Sequence, residues 1–402
     1  MSVSVEDFVE ELRCLGVDFF AGVPDSLLKS FCAYVTDTCD DNHIIAANEG
    51  GAVGLAAGHY LATGKPALVY MQNSGQGNAV NPLASLADPD VYSIPMVLLV
   101  GWRGEPGVKD EPQHVKQGKV TVSLFETLGM PTEILPDDES AALELTRKMV
   151  GKAQAESRPV AVVVRKGLFA EYKLQNKEAD IASVRREDAI EGVLRGLPKD
   201  AVIVSTTGMI SREVYETRER LGQGHERDFL TVGSMGHAIM IALGIARAQP
   251  KRKVYCLDGD GASIMHLGNM AIAGQSGCEN LTHVVLNNSA HDSVGGQPTV
   301  GGKIDFEKIA EELGYNVLQS PQDQYCGNII AGVNEIADGM KWLVSMAEQA
   351  EQRASDDTDG LPKKPNFILF KVAKGARKDL GRPKEPPHIN KALYMKTLGA
   401  RG

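Results

Sequence analysis

The sequence predicts two α/β domains of the same fold, each an open, doubly wound parallel sheet with helices on both faces, and no middle domain between them. Three observations predict it. Short β-branched runs alternate with longer amphipathic segments, the two halves of the chain echo each other without a gap, and in each half a strand runs into a glycine-containing loop.

The alternation comes first. Apolar runs at 67–71, 96–100, 160–164, 202–205, 254–257 and 284–286 have strand length and are separated by helix-length segments, the pattern of parallel strands joined by crossover helices. Between the third and fourth runs lies KLQNKEADIASVRRED, polar and without helical or strand period over its first half. It reads as a linker and sets the domains at 1–175 and 187–402.

The repeat carries more weight. EGGAVGLAAGHYLATGKPALVYMQNSG from Glu49 aligns with MGHAIMIALGIARAQPKRKVYCLDGDG from Met235 at a constant offset of 186, which pairs Gly58 with Gly244 and Gly75 with Gly261. The same offset pairs the run ending at Val100 with the one ending at Leu286. SVEDFVEELRCLG and RREDAIEGVLRGLP add a weaker echo, since both read as capped helices leading into a strand.

Composition excludes several functions. Lys+Arg 42 against Asp+Glu 52 gives a formal charge of −10, without the clustered positive charge that nucleic acid or an anionic membrane needs. No apolar stretch approaches the ~20 residues of a spanning helix. The opening MSVSVEDFVEELR is acidic where a secretory signal is basic and then apolar, so the expectation is a cytoplasmic protein. Cys14, Cys32, Cys39, Cys256, Cys278 and Cys326 show no CxxC or zinc-like spacing and read as buried free thiols.

The chemistry sits in the loops. The second half carries GDGAS after a strand, then LNNSAH after a helix and another strand. A carboxylate and an amide at the ends of neighbouring strands, beside glycines that let backbone approach a ligand, suit a hard cation holding phosphate oxygens, and Mg2+ fits that ligand type. GDGASI begins like a dinucleotide GxGxxG but lacks the third glycine.

GDG followed after 26 residues by Asn288 resembles the signature of the thiamine-diphosphate-dependent 2-oxo acid decarboxylase family. The resemblance implies that Asp260, Asn288 and the carbonyl of Ala290 hold Mg2+, with Asn287 as the alternative register. Gly261, Ala262 and Ser263 would face the diphosphate of the cofactor, with Thr206, Thr207 and Gly208 of STTGM as further donors. Glu49 in HIIAANEGGAVGLAAG matches the glutamate that meets N1′ of the aminopyrimidine, and its small apolar neighbours imply a raised pKa. Ser74 and Asn78 are assigned to the cofactor as well. Met235, the repeat partner of Glu49, would wedge the cofactor into its bent form, a role compatible with simple core filling, and the Gly233 carbonyl would accept from the 4′ amine.

The two-domain layout with GVPDS, GWRGEPGVKDEPQH, NNSAHDSVGGQPT and a late KGARKDLGRP is most similar to members that act on 3-phosphonopyruvate, with the sulfonate analogue next and a carboligase as a further alternative. The implied reaction releases CO2 and an aldehyde, the cofactor serving as electron sink. A second anion on the substrate needs positive charge or donors. The loop after 96–100 offers Arg103, Lys109, Gln113, His114 and Lys116, of which Arg103, Gln113 and His114, with Ser26, are the substrate candidates. Asp25 is either a proton relay or the cap of a helix beginning at Leu27, and His291 follows the metal motif; with Glu49 and His114 these are the catalytic candidates. The basic tail (Lys374, Arg377, Lys378, Arg382, Lys384) is either a solvated segment or a lid over the site. The family resemblance implies a homodimer or larger homo-oligomer with active sites between chains.

Overall fold

The apolar runs form strands because both of their faces are covered. In β3 (Ala67–Gln72), Leu68 and Tyr70 join a cluster with Phe8, Phe31 and Met149, while Ala67, Val69 and Met71 join a second cluster with Val53, Ala56 and Phe125 on the opposite face. A strand buried on both sides is apolar throughout, and each fully buried Leu or Phe contributes roughly 1.5–3 kcal/mol.

The computed structural model describes residues 2–176, 178–320, 333–356 and 363–400. It comprises two compact units, Met1–Glu178 with Ser293–Gln297, and Ala179–Asp292 with Pro298–Gly402. The first contains α1 (Val5–Cys14), β1 (Phe20–Gly22), α2 (Lys29–Thr38), β2 (His43–Ile45), α3 (Glu49–Thr63) and β3. It continues with α4 (Gln76–Pro82), β4 (Met96–Gly101), α5 (Pro112–Thr127), β5 (Thr132–Ile134), α6 (Glu139–Glu156) and β6 (Pro159–Val164). The second opens with α7 (Arg186–Gly196), β7 (Val202–Ser205), α8 (Met209–Arg220), β8 (Asp228–Leu230), α9 (Ala238–Ala248) and β9 (Val254–Gly259). It continues with α10 (Asp260–Met265), α11 (Leu267–Gly274), β10 (Leu281–Asn287), α12 (Phe306–Glu312) and β11 (Asn316–Val317), and closes with α13 (Val333–Asp356), β12 (Asn366–Lys371) and α14 (Pro387–Thr397).

Each unit holds a six-stranded parallel sheet. The orders are β2-β1-β3-β4-β6-β5 and β8-β7-β9-β10-β12-β11. Strand for strand they are the same, so the 186-residue echo is one fold used twice, with no middle domain.

Local signals explain the helix starts that matter. Ser4 accepts from the Asp7 amide at 3.2 Å and caps α1, whose Val5, Phe8, Val9 and Leu12 form one buried stripe. The matching helix α7 departs from the expectation: its cap position is Arg185, which has no acceptor to offer and pairs instead with Asp188 at 2.6 and 2.7 Å. Asn48 caps α3 by accepting from Gly51 N at 2.9 Å, which fixes Glu49 as the first helical residue.

Three further expectations need correction. Cys32, Cys39 and Cys256 are buried free thiols, but Cys14 at the end of α1 is exposed and Cys278 partly so; Cys326 lies outside the described residues. Asp25 does not cap a helix at Leu27, because α2 begins at Lys29; its Oδ2 accepts from the Leu27 amide at 3.1 Å in the turn before the helix. The basic tail is not a free solvated segment. Arg377 bridges Glu187 and Glu216, Lys384 meets Glu219 at 3.1 Å, and the Lys374 amide donates to Asp180 at 3.2 Å. The tail then enters the core, where Tyr394 is buried and Asn390 bonds Leu230 N at 3.2 Å and Asp228 O at 2.8 Å. Its charge answers the acidic faces of α7 and α8. Among the described residues, no helix is long and apolar enough to cross a membrane.

Candidate active site

In the first unit the candidate residues gather just beyond the carboxyl ends of β1, β2, β3 and β4, where a doubly wound sheet presents its loops. Glu49 is 5% exposed and begins α3. Its Oε2 accepts from Asn78 Nδ2 at 2.6 Å, and burial holds its carboxyl above the usual range while that bond works in the opposite direction. The backbone of Gly75 packs directly on the Glu49 side chain, leaving no room there for a Cβ. Ser74, in the same loop, is exposed and accepts from Gln72 at 2.6 Å.

A second group lies on the loop after β4. Arg103 donates to Asp110 through Nε at 2.8 Å and Nη2 at 2.5 Å, and to Ser26 Oγ through Nη1 at 2.8 Å. Asp110 also accepts from Gly104 N at 2.8 Å and Glu111 N at 2.7 Å, and lies 3.0 Å from His114 Nδ1. Burial opposes its charge, but these partners, Arg103 first, hold its carboxyl well below the usual range. Burial lowers the pKa of His114, with Asp110 pulling the other way. Sequence reading passed over Asp110, although it stands in the quoted GWRGEPGVKDEPQH. The available signal was its spacing, four residues before His114 at the start of a helix. Lys109 and Lys116 point to solvent.

Asp25 is fully buried, and burial pushes its pKa up to about 6 against the pull of the Leu27 amide and Arg103. Among the described residues its Oδ1 has no hydrogen-bond partner, and neither does the buried Oε1 of Gln113 in the first turn of α5. Asn73 stitches the two loops together, donating to Arg103 O at 2.7 Å and Thr121 Oγ1 at 2.8 Å.

In the second unit, Asp260 is 2% exposed and begins α10. Burial raises its pKa to about 6, and Thr299 Oγ1 donates to its Oδ2. The tandem asparagines are both buried but differently engaged. Asn287 Oδ1 already accepts from Ser289 N and Oγ at 3.0 and 3.2 Å, and its amide donates to Gly301 O at 2.8 Å. Among the described residues Asn288 Oδ1 accepts only from Ala290 N at 3.1 Å, which leaves it a lone pair and favours it over Asn287 as a ligand. Its Nδ2 donates to Asp292 Oδ2 at 2.6 Å.

A carboxylate, an amide oxygen and a backbone carbonyl form an oxygen set that fits Mg2+, and a cation would answer the buried Asp260 charge. The phosphate side fits too. Thr206 Oγ1 and Ser263 Oγ are buried without a partner among the described residues, as donors kept for a ligand would be. Thr207 Oγ1 accepts from Gly233 N at 2.9 Å, tying the loops after β7 and β8. Gly208 sits at φ +96°, ψ −137°, a conformation that needs glycine. His291 packs over Gly261 and is partly exposed, and desolvation presses its pKa down to about 4 against the pull of Asp292. Met235 is partly exposed and stands outside the apolar clusters of its unit.

Residues 4–124 match the family described as thiamine pyrophosphate enzyme, N-terminal TPP binding domain, and residues 206–335 match the C-terminal TPP binding domain. The chain is 33% identical over 404 residues to phosphonopyruvate decarboxylase of Streptomyces hygroscopicus, covering 96% of this chain and 92% of the relative. It is 32% identical over 400 residues to the enzyme of the same name from Streptomyces viridochromogenes, with the same coverage. Sulfopyruvate decarboxylase of Methanosarcina acetivorans is 29% identical over 332 residues, covering 77% of this chain and 82% of the relative. Fold and matches define a thiamine-diphosphate enzyme. Within that class the chain belongs to the 2-oxo acid decarboxylases, in the family of the phosphonopyruvate decarboxylases.

Proposed function

We propose that the chain decarboxylates 3-phosphonopyruvate to phosphonoacetaldehyde and CO2, using thiamine diphosphate and Mg2+. The observation that carries this reading is 33% identity to a phosphonopyruvate decarboxylase across 96% of the chain, against 29% across 77% for the sulfopyruvate enzyme.

Asp260, Asn288 and Ala290 would hold the cation, with Thr206, Thr207, Gly208, Gly261, Ala262 and Ser263 around the diphosphate. Bound cofactor supplies the electron sink for the carboxylate leaving as CO2. Glu49 would hold a proton at N1′ of the aminopyrimidine through Oε1, since Oε2 is engaged by Asn78. Burial raises the pKa of that carboxyl, which favours its holding the proton. Gly233 and Met235 would orient the ring. Arg103 keeps N–H groups beyond those given to Asp110 and Ser26, so it could still face a phosphonate, with Gln113 and His114 as further candidate contacts. Asp25 and His291 are the remaining proton-carrying candidates.

Glu49 and Asp260 of different chains would serve one cofactor in a homodimer or larger assembly. The reading is tested by supplying purified protein, Mg2+ and thiamine diphosphate with 3-phosphonopyruvate, 3-sulfopyruvate or pyruvate and following aldehyde release. The expected preference in kcat/KM for the phosphonate is at least about 100-fold. Faster turnover of the sulfonate would reverse the assignment, and a carbon–carbon coupled product would mark a carboligase.

A further inference from the structure

An asparagine amide has two ends of nearly the same shape, one that donates and one that accepts. For Asn288 to serve a cation its oxygen must be kept forward, and something must stop the amide from turning over. Asp292, four residues on, supplies that constraint. Its Oδ2 accepts from Asn288 Nδ2 at 2.6 Å, and an ionised carboxylate cannot donate, so only the nitrogen end of the amide fits against it.

Asp292 is itself held from two distant parts of the chain. The same Oδ2 accepts from Arg186 Nη1 at 2.8 Å and from the Gly375 amide at 2.9 Å. Arg186 is 5% exposed and is gripped on its other side by Glu213 at 2.8 and 3.0 Å. One end of α7 and the segment after β12 therefore converge on a single carboxylate oxygen behind Asn288.

We infer that Asp292 is a positioning residue: backed by Arg186 and Gly375, it fixes the orientation of the Asn288 amide and so sets the affinity of the cation site. This rests on the reading of Asn288 as a Mg2+ ligand. Sequence alone shows Asp292 only as one more acidic residue in a loop, because the partners that make it rigid are 106 and 83 positions away.

The test is calorimetric titration of Mg2+ into the full-length chain at saturating thiamine diphosphate. Wild type, Asp292→Ala, Asp292→Asn and Asn288→Ala are compared, each first checked for native circular dichroism. Asp292→Ala weakens Mg2+ binding about 10- to 100-fold, the effect of losing an outer partner of a metal ligand. Asp292→Asn recovers most of it, because an amide oxygen at the same place can take the same three donors. An Asp292→Ala affinity within about threefold of wild type overturns the inference, outside the range for such partners. So does an Asp292→Asn variant as weak as Asp292→Ala, since charge rather than the placed acceptor would then matter. Should Asp292→Ala not fold, Asp292→Ser, whose hydroxyl is too short to reach Asn288, takes its place. Asn288→Ala separates the two levels: wild-type affinity in that variant removes the ligand reading itself, whereas a weak Asn288→Ala beside a normal Asp292→Ala removes only the positioning role.

Discussion

Gly75 lies flat against Glu49, so close that a Cβ at position 75 would overlap Cγ, Cδ and Oε1 of the glutamate. Its φ of −78° is open to any residue, so the demand for glycine here is one of space. The glycine shapes the seat of the carboxyl proposed to meet the cofactor.

Gly75→Ala should therefore push Glu49 off Asn78 while leaving the sheet intact. A displacement of about 1 Å at a reacting group costs on the order of 100-fold in rate. Steady-state assay of a folded Gly75→Ala protein should show that loss in kcat. Wild-type turnover would mean that the Glu49 position is not critical.

Asp25 gives a pH signature. Its folded pKa, about 6, lies above the ordinary 3.8 because of burial, so its contribution favours the folded state below pH 4 and is lost as pH rises through about 6. Asp25→Asn removes the penalty. Relative to wild type, the variant should gain stability between pH 4 and pH 7, by up to about 3 kcal/mol for a shift of about two units. Urea unfolding of the apo proteins across that range checks it, and parallel curves would show that Asp25 is not the group responsible.

The tail should behave as structure. Tyr394 is 3% exposed, and replacing a buried aromatic residue by alanine costs about 3 kcal/mol or more. Chemical denaturation of Tyr394→Ala should reveal a loss of that size, and truncation after Ala373 should lower the melting temperature further. A truncated chain that melts like wild type and fails only with phosphonopyruvate would restore the lid.

Legibility followed burial. Strands flanking the sheet centres, such as β3, β4, β9 and β10, could be read because both faces are apolar. Edge strands β2, β5, β8 and β11 have two or three residues each, too few for a period. Asn366–Lys371 was missed although five of its six residues are buried. Asp260 and Glu49 were visible through motif and repeat. Asp110 and Asp292 were not, since their roles come from partners: Arg103 on the loop and His114 in the first turn of α5 for the first, and Arg186 and Gly375 far along the chain for the second.

Assembly can be tested without a structure of the oligomer. A Glu49→Gln chain and an Asp260→Ala chain, each inactive alone, should regain part of wild-type activity when refolded together, because some interfaces would pair an intact Glu49 with an intact Asp260. Mixtures that stay inactive would place both residues of a site on one chain.

Glu49 is proposed to exchange a proton with bound thiamine diphosphate. The most direct test is Glu49→Gln, assayed for cofactor affinity and for phosphonopyruvate turnover in the same preparation. An amide keeps the shape and the contact with Asn78 but cannot carry the proton, so cofactor affinity should stay within a few-fold while kcat falls by about 1,000-fold, within the usual range for a lost acid–base group. Turnover within about tenfold of wild type would contradict the account.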